Sequence, residues 1–104
     1  MSLYFLKVHN VEGKKIVAVC DEEILGNVYR EGDVILDVSP VFYGGKRVDL
    51  EEVVKAIEEA DMAIITGKRI VKELEKRGLV LSEFALKVQD QLHIHIIKEL
   101  EEGT

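Results

Sequence analysis

The stretch VDLEEVVKAIEEADMAIITGKRIVKELEKRG, from Val48 to Gly78, predicts a helix, a short strand and a second helix in succession. In its first part, apolar residues recur at the i, i+3, i+4 and i+7 spacing of one helix face, and these are Leu50, Val53, Val54 and Ile57. Asp49 is a favourable N-cap, and Glu52 stands three residues later at the spacing of a capping box. The sequence therefore predicts a helix over about residues 50–60.

The second part of the stretch begins with a fully apolar run, Met62 to Ile65, which predicts a buried strand or a buried extended connector. Thr66 is then placed to cap a helix over about residues 67–77. Gly78 follows the last turn and can adopt the left-handed conformation that ends a helix. Two helices thus flank one buried segment.

Further strands are predicted on both sides of this stretch, at Tyr4–Val8, Lys15–Cys20, Val34–Val38, Ala85–Val88 and Leu92–Ile97. Residues 10–13 have turn composition and predict a hairpin, whereas the stretch containing Gly26 and Gly32 is predicted to be irregular. Two helices can cover this much strand surface only by packing on one sheet. The predicted fold class is therefore α+β, with a single mixed or antiparallel sheet of about five to six strands and two helices packed on one face, and α/β is the alternative.

Composition limits the classes of function. The 104 residues are predicted to form one domain, residues 1–104, and the net charge of −6 argues against tight non-specific binding of nucleic acid. Cys20 is the only cysteine, so no intrachain disulfide can form and a cytoplasmic location is favoured. The apolar run Leu3–Leu6 is far too short for a membrane helix, and the high Glu and Lys content fits a thermophilic source.

Four pieces of the chain also resemble one known family in their order and spacing. They are AVCDEEILGNVYREGDVILDV (Ala18–Val38), FYGGKRV (Phe42–Val48), GKRIVKELEKRGLV (Gly67–Val80) and the late His93. Together they resemble the archaeal domain-of-unknown-function family 424. The resemblance implies a small archaeal cytosolic protein and no particular reaction. Two positions depart from the family pattern: Lys68 stands where an acidic residue is frequent, and Leu92-His93-Ile94-His95 replaces a Pro-His turn.

The start of the second predicted helix is a candidate anion site. Free N–H groups and the helix dipole at Gly67, Lys68 and Arg69 suit a phosphate, although a solvated helix start is the favoured interpretation. Lys68, Lys72 and Lys76 then form a basic stripe within Lys68–Arg77, which holds five cations and two anions. Such asymmetry is a feature of helix faces that contact RNA or a protein partner. The favoured interpretation is an ordinary helix face with ion pairs Arg69–Glu73 and Glu73–Arg77.

A second candidate set comprises Cys20, Asp21, Glu22, His93 and His95. Cys20 with His93 has the composition of a nucleophile and its base, but the adjacent acids raise a thiol pKa, so a small buried hydrophobe is the favoured interpretation of Cys20. His93 and His95 point to one face of a strand and can bind a metal with Cys20 or an acid, or they form the polar side of a half-buried strand. Asp21 can also cap a short turn through Leu25.

The third candidate set lies in the loop before the first helix and comprises Phe42, Tyr43, Gly44, Gly45 and Lys46. If Phe42 joins the core, Tyr43 faces the other way and can stack on a base or a peptide. The paired glycines would then allow close approach of a ligand to the backbone. The favoured alternative is a glycine turn with aromatic residues closing the end of the sheet.

These patterns favour a small non-enzymatic binding module, an accessory of RNA or translation machinery, because no convincing catalytic set is present. One alternative is a small enzyme or metal-binding protein using Cys20, Asp21 and His93. Another is a homo-oligomeric structural or interaction protein, such as a homodimer, in which a partner covers an exposed edge strand. No cofactor, metal or catalytic residue is assigned from the sequence, and no membrane contact is expected.

Overall fold

A computed structural model describes residues 3–98. Eight strands in this range cover Tyr4–Val11 (β1), Lys14–Asp21 (β2), Val28–Glu31 (β3), Val34–Asp37 (β4), Lys46–Val48 (β5), Met62–Thr66 (β6), Leu86–Val88 (β7) and Gln91–Ile97 (β8). Three helices cover Pro40–Tyr43 (α1), Leu50–Glu59 (α2) and Lys68–Lys76 (α3). The helix predicted to start the quoted stretch therefore ends within one residue of its expected boundary, and Asp49 caps it by accepting a hydrogen bond from Glu52 N.

Six of the strands form one mixed sheet in the order β5-β1-β2-β6-β8-β7. Only β2 and β6 run parallel, and the other neighbours are antiparallel. The parallel pair is joined by a crossover that includes α2, whereas a tight turn joins β1 to β2. Glu12 and Gly13 of that turn have φ of 52° and 80°, the signs of a type I′ turn, which matches the twist of the hairpin. The predicted hairpin, mixed sheet and α+β class are confirmed.

The larger part of the core lies between this sheet and the two longer helices. Apolar side chains from alternate positions of β1, β2 and β6 meet Val53 and Ile57 of α2 and Ile70, Val71 and Leu74 of α3. All five helix residues are buried, because their spacing places them on the stripe that faces the sheet. Packing of both helices on one face is therefore confirmed.

The opposite face of the sheet carries a layer that the sequence patterns did not predict. β3 and β4 form a separate two-stranded sheet, so the stretch around Gly26 and Gly32 is a hairpin and the prediction of irregular structure was wrong. Pro40 occupies the first turn of α1, where its fixed φ and missing N–H are tolerated. This layer and the sheet enclose a second cluster, which comprises Ala18, Cys20, Ile24, Val38 and Tyr43.

The start of α3 is held by a residue from a different element. Thr66 does not cap this helix as predicted; the N-cap is Gly67, and Asp21 at the end of β2 accepts hydrogen bonds from Arg69 N and Ile70 N at 2.9 and 2.8 Å. Asp21 likewise makes no side-chain cap to the turn that follows it, so its predicted local role was wrong. Gly67 has a φ of 131°, and a Cβ at this position would overlap the Asp21 carboxyl group.

Asp21 is fully buried, which makes this contact important for stability. Burial raises the pKa of its carboxyl group, and the two backbone hydrogen bonds oppose that rise by stabilising the charged form. The N-terminal end of a helix favours negative charge, so the site suits a carboxylate in both hydrogen bonding and electrostatics.

We expect Asp21→Asn to lower the free energy of unfolding by about 1–3 kcal/mol, because an amide cannot accept on both sides and leaves a buried N–H unpaired. Urea denaturation followed by circular dichroism measures this change. Asp90→Asn is the matched control: Asp90 is an exposed partner of Lys68, so its variant should keep the wild-type midpoint. Equal midpoints for the two variants would contradict the assigned role of Asp21.

Candidate functional site

The sheet register places one strand between Cys20 and His93, the residues considered as a nucleophile and its base. Cys20 of β2 lies beside Thr66 of β6, and Thr66 lies beside His93 of β8. Two strand spacings separate Cys20 from His93, which is about 9.5 Å between their backbones. Because Thr66 stands between them, Cys20 and His93 do not form a hydrogen-bonded nucleophile and base.

Cys20 also lacks the environment of a reactive thiol. Its side chain is fully buried in the second cluster. Burial raises its pKa to about 12, with further contributions from the charges of Asp21 and Glu23. The thiol is therefore neutral near pH 7, which agrees with the favoured interpretation of Cys20 as a small buried hydrophobe.

A chain of hydrogen bonds instead connects the buried second cluster with the protein surface. Tyr43 Oη lies 2.8 Å from Thr66 Oγ1, and Thr66 Oγ1 lies 2.7 Å from His93 Nδ1. His93 Nε2 lies 3.0 Å from His95 Nε2, and His95 is exposed. Two buried residues, one half-buried histidine and one exposed histidine thus form a continuous polar path across the sheet.

Two members of this path, His93 and Tyr43, are neutral near pH 7. Burial lowers the pKa of His93, and the adjacent His95 lowers it further by charge repulsion. Burial raises the pKa of Tyr43, although the hydrogen bond with Thr66 opposes this. The Tyr43–Thr66–His93 part of the path therefore forms its hydrogen bonds between neutral groups.

The exposed end of the path opens into a cleft of about 820 Å³ along the outer edge of β8. β8 contributes His93 to Ile96, and the segment after α3 contributes Gly78 to Leu81 together with Phe84 and Leu86. Glu75 holds this segment in place, because its carboxylate accepts hydrogen bonds from the backbone N–H and the hydroxyl of Ser82. The cleft therefore has one wall of sheet edge and one wall of anchored loop.

Among the described residues, the outer edge of β8 has a strand partner over only part of its length. β7 pairs with β8 only from Leu86↔His93 to Val88↔Gln91. A single 3-10 turn at Ser82–Phe84 precedes β7 and directs the chain away from the sheet. Within residues 3–98, no strand pairs with the outer side of β8 beyond His93.

The direction of the free backbone groups follows from the hydrogen bonds on the inner side. Gly67 N donates to Leu92 O, and Lys98 N donates to Asp61 O. Backbone groups alternate in direction along an antiparallel strand, so even-numbered residues of β8 face β6. The N–H and C=O groups of His95 and Ile97 therefore point outward along the open edge.

Exposed apolar side chains accompany this open edge. Phe84 is 70% exposed, Ile97 is 63% exposed, and Leu81 and Leu86 are each about half exposed. Unpaired backbone groups next to apolar side chains are the features of an edge strand that can pair with another segment. The strand predicted at Leu92–Ile97 therefore forms this edge. The apolar run Met62 to Ile65 belongs instead to an inner strand, β6, which lies between β2 and β8.

The basic helix face is mostly neutralised by ion pairs. Lys68 pairs with Asp90, Arg69 with Glu23, Lys76 with Glu73 and Arg77 with Glu51. Three of these pairs join α3 to other elements, so the partners differ from the Arg69–Glu73 and Glu73–Arg77 pairs expected within the helix. In the range 3–98, Lys72 is the cation of this face without a carboxylate at ion-pair distance.

The predicted anion site at the start of α3 is filled by the protein itself. Arg69 N and Ile70 N donate to Asp21, and Lys68 N donates to the side chain of Gln91 at 3.2 Å. Arg69 does not face an open site either, because its guanidinium binds Glu23 and lies over the Tyr4 ring. The Gly67-Lys68-Arg69 segment therefore offers no free set of N–H groups for a phosphate.

In the segment Phe42–Lys46, called the aromatic loop below, Tyr43 rather than Phe42 faces the protein interior. Tyr43 is buried, whereas Phe42 is partly buried and stacks on His9 with ring centroids 4.6 Å apart. The less favoured alternative, in which Phe42 enters the core and Tyr43 is exposed, therefore does not hold, and Tyr43 is not available for stacking on a base. Gly44 and Gly45 allow close backbone contacts with Pro40 and Leu6 rather than with a ligand.

The charged neighbours of this loop are exposed and paired. Lys46 lies 3.8 Å from Glu52, and Glu22 pairs with Arg47 at 2.6 Å. These contacts connect the loop to α2 and to the turn after β2. Lys46 and Glu22 therefore lie apart from the cleft that contains His93.

Two parts of the site, Thr66 of the polar path and the Leu81–Phe84 wall of the cleft, were not selected from the sequence. Thr66 was interpreted as a helix cap, although its position at the end of an apolar strand also suits a polar group that joins neighbouring strands. The segment Leu81–Phe84 gave no motif, and its exposed apolar residues were the available signal.

Residues 3–98 contain no cluster of three or more His, Cys, Asp or Glu residues that would enclose a metal ion. The same range contains no helix of the length and hydropathy required to cross a membrane.

The lowered pKa of His93 predicts a pH dependence of stability. The unfolded chain protonates this histidine near pH 6.5, whereas the folded protein holds it neutral to lower pH. Stability from neutral His93 is therefore complete above about pH 6.5 and is lost as the pH falls toward the lower folded pKa. We expect His93→Gln to reduce the pH slope of the urea midpoint in this window, with His9→Gln as the control. A wild-type slope in His93→Gln would contradict the assignment.

Comparison with known proteins shows the same fold in a solved structure. The crystal structure of an uncharacterized conserved protein from Methanopyrus kandleri matches with a TM-score of 0.71 and 21% identity, covering 97% of this chain and 99% of that chain. A structural match at 21% sequence identity shows that the two proteins share a fold and nothing more. No curated protein matches the chain. A family model described as protein of unknown function (DUF424) matches residues 9–98, so the chain belongs to the DUF424 family, as its sequence resemblance predicted.

Proposed function

We propose that this protein is a non-enzymatic binding module that recognises an extended segment of a partner protein at the open edge of β8. The observation that carries this proposal is the outward direction of the His95 and Ile97 backbone groups beside the apolar cleft. A bound segment adds one strand to the sheet and places alternate side chains in the cleft. Backbone hydrogen bonds then supply affinity, and the cleft supplies specificity.

The composition of the edge supports this role. Proteins commonly protect edge strands with proline, with lysine or with a bulge that prevents pairing. The open part of β8, Ile94–Ile97, contains three isoleucines and one histidine, and it has no charged residue and no proline. Ile94 and Ile96 line the cleft, and Ile97 is exposed. An edge of this kind favours pairing with a second segment.

The lining of the cleft favours a peptide over RNA. Apart from Glu75 and the two histidines, the cleft is lined by apolar side chains and one glycine. Glu75 is acidic and the net charge of the chain is −6, which disfavours a phosphate backbone. The ion pairs along α3 leave little free positive charge on the face predicted to contact RNA. The role as an accessory of RNA or translation machinery therefore has less support than peptide binding.

We expect peptides selected from a displayed random library to bind this edge with alternating apolar residues. Titration followed by NMR should shift the amides of His95 and Ile97 and slow their hydrogen exchange. Ile97→Pro removes an outward N–H and leaves the backbone hydrogen bonds between β8 and β6 in place. The affinity for the peptide should therefore fall about tenfold or more. Ile97→Thr retains this N–H and should bind more tightly than Ile97→Pro.

A second pair of variants tests the apolar wall of the cleft. Phe84→Ala should weaken peptide binding, whereas Val41→Ala changes an exposed apolar residue of α1 away from the cleft and should not. Selected peptides whose amide shifts map to Lys68–Arg77 or to Phe42–Arg47 would overturn the proposal. Saturable binding of RNA at moderate salt with shifts at Lys72 would favour the RNA role instead.

The same edge suits antiparallel pairing with β8 of a second copy of the chain. The observation in favour is that His93–Ile96 alternates histidine and isoleucine and is therefore compatible with itself in antiparallel register. Sedimentation of the pure protein distinguishes this homodimer from a monomer. A dimer abolished by Ile97→Pro would place self-association at this edge.

A further inference from the structure

We propose that His93 and His95 form a two-histidine site for a divalent late transition-metal ion, of the class Zn²⁺, Ni²⁺ or Cu²⁺. The site lies at the cleft but does not depend on a bound peptide, so this proposal is independent of the proposed function. It rests on the distance between the two Nε2 atoms, on the contact that fixes one imidazole, and on the open side of the pair.

The separation of the two nitrogens fits one shared metal ion. Nitrogen ligands at about 2.0–2.1 Å from an ion are about 2.9 Å apart at a right angle and about 3.4 Å apart at the tetrahedral angle. The Nε2 atoms of His93 and His95 are 3.0 Å apart, within this range and close to its right-angle end. The ring centroids are 4.8 Å apart and the ring planes are inclined at 75°, and both side chains rotate to direct their lone pairs to one shared ion.

His93 has the contact that metal-binding histidines require on the other ring nitrogen. Its Nδ1 lies 2.7 Å from Thr66 Oγ1, and Thr66 Oγ1 lies 2.8 Å from Tyr43 Oη. If Nδ1–H donates to Thr66 and the threonine hydroxyl donates to Tyr43, the lone pair of Nε2 points out of the sheet. Contacts of this kind fix the tautomer and the ring orientation of a metal-binding histidine.

The proton balance of the pair allows metal binding near neutral pH. Without metal, the two Nε2 atoms share one proton, which His95 donates to His93 in the tautomer set by Thr66. A bound ion takes the position of this proton, and His95 moves its proton from Nε2 to Nδ1. Both imidazoles stay neutral in this exchange, so binding of the ion releases no proton.

The remaining coordination positions are open to solvent and the cleft. Cys20 cannot be a third ligand, because Thr66 separates it from His93 and its thiol is buried. Within residues 3–98 no third His, Cys, Asp or Glu completes a cluster with the pair, so water completes the coordination. Two imidazole ligands favour late transition metals over Mg²⁺ and Ca²⁺, which prefer oxygen ligands.

Calorimetric titration of the tag-free protein with NiCl₂, ZnCl₂ and CuCl₂ near neutral pH tests the site. We expect one ion per chain in the micromolar range, and His95→Gln should weaken binding by about tenfold or more. His9→Gln is the matched control, since His9 contacts Phe42 O in the aromatic loop away from β8 and should retain wild-type affinity. No binding, equal affinity in His95→Gln, or loss in His9→Gln would overturn the proposal.

Two further measurements test the positions of the atoms. Imidazole nitrogen NMR should show Zn²⁺-dependent shifts at Nε2 of both His93 and His95, and shifts at Nδ1 alone or at one histidine alone would overturn the chelate. Thr66→Val removes the hydroxyl and should lower metal affinity by about 10–100-fold, whereas Thr66→Ser keeps it and should bind like the wild type. Equal affinities for these two variants would overturn the positioning role of Thr66.

Discussion

The buried carboxylate of Asp21 is the contact on which the arrangement of this protein depends. It lies at the end of β2 and accepts two backbone hydrogen bonds from the start of α3. Gly67 is required beside it, because the positive φ and the absence of a Cβ allow the helix start to approach the carboxyl group. One interaction therefore fixes where β6 ends, where α3 begins and how both lie against β2.

The contact made by Asp21 also determines the role of Thr66, the residue before Gly67. Thr66 needs no role as a helix cap, because Asp21 supplies the acceptor. Its hydroxyl is free to join Tyr43 on one side and His93 on the other. A contact between a strand and a helix on one face of the sheet thus allows a polar path on the opposite face, which ends at the cleft beside β8.

The cleft exists because β7 is short. The 3-10 turn at Ser82–Phe84 and the anchor between Glu75 and Ser82 hold the segment after α3 away from the sheet edge. The two-residue turn between β7 and β8 limits their pairing to the beginning of β8. The outer half of β8 is therefore open to a second segment, and its histidines lie beside the apolar wall that such a segment would contact. Strand addition and metal binding are separate uses of this edge, since one involves backbone groups and the other imidazole nitrogens.

The sequence by itself determined the elements whose stabilising contacts are local. The helix stripe from Leu50 to Ile57, the cap at Asp49, the β1–β2 turn and the end of α3 at Gly78 depend on neighbours within a few residues, so periodicity and turn chemistry identified them. Family membership was also evident from short ordered pieces. Only the tertiary structure decided the roles of Asp21 and Thr66, the burial of Tyr43 rather than Phe42, and the open edge of β8. These features depend on partners distant in sequence, such as Ile70 for Asp21, and spacing along a single chain does not reveal which distant groups a sheet brings side by side.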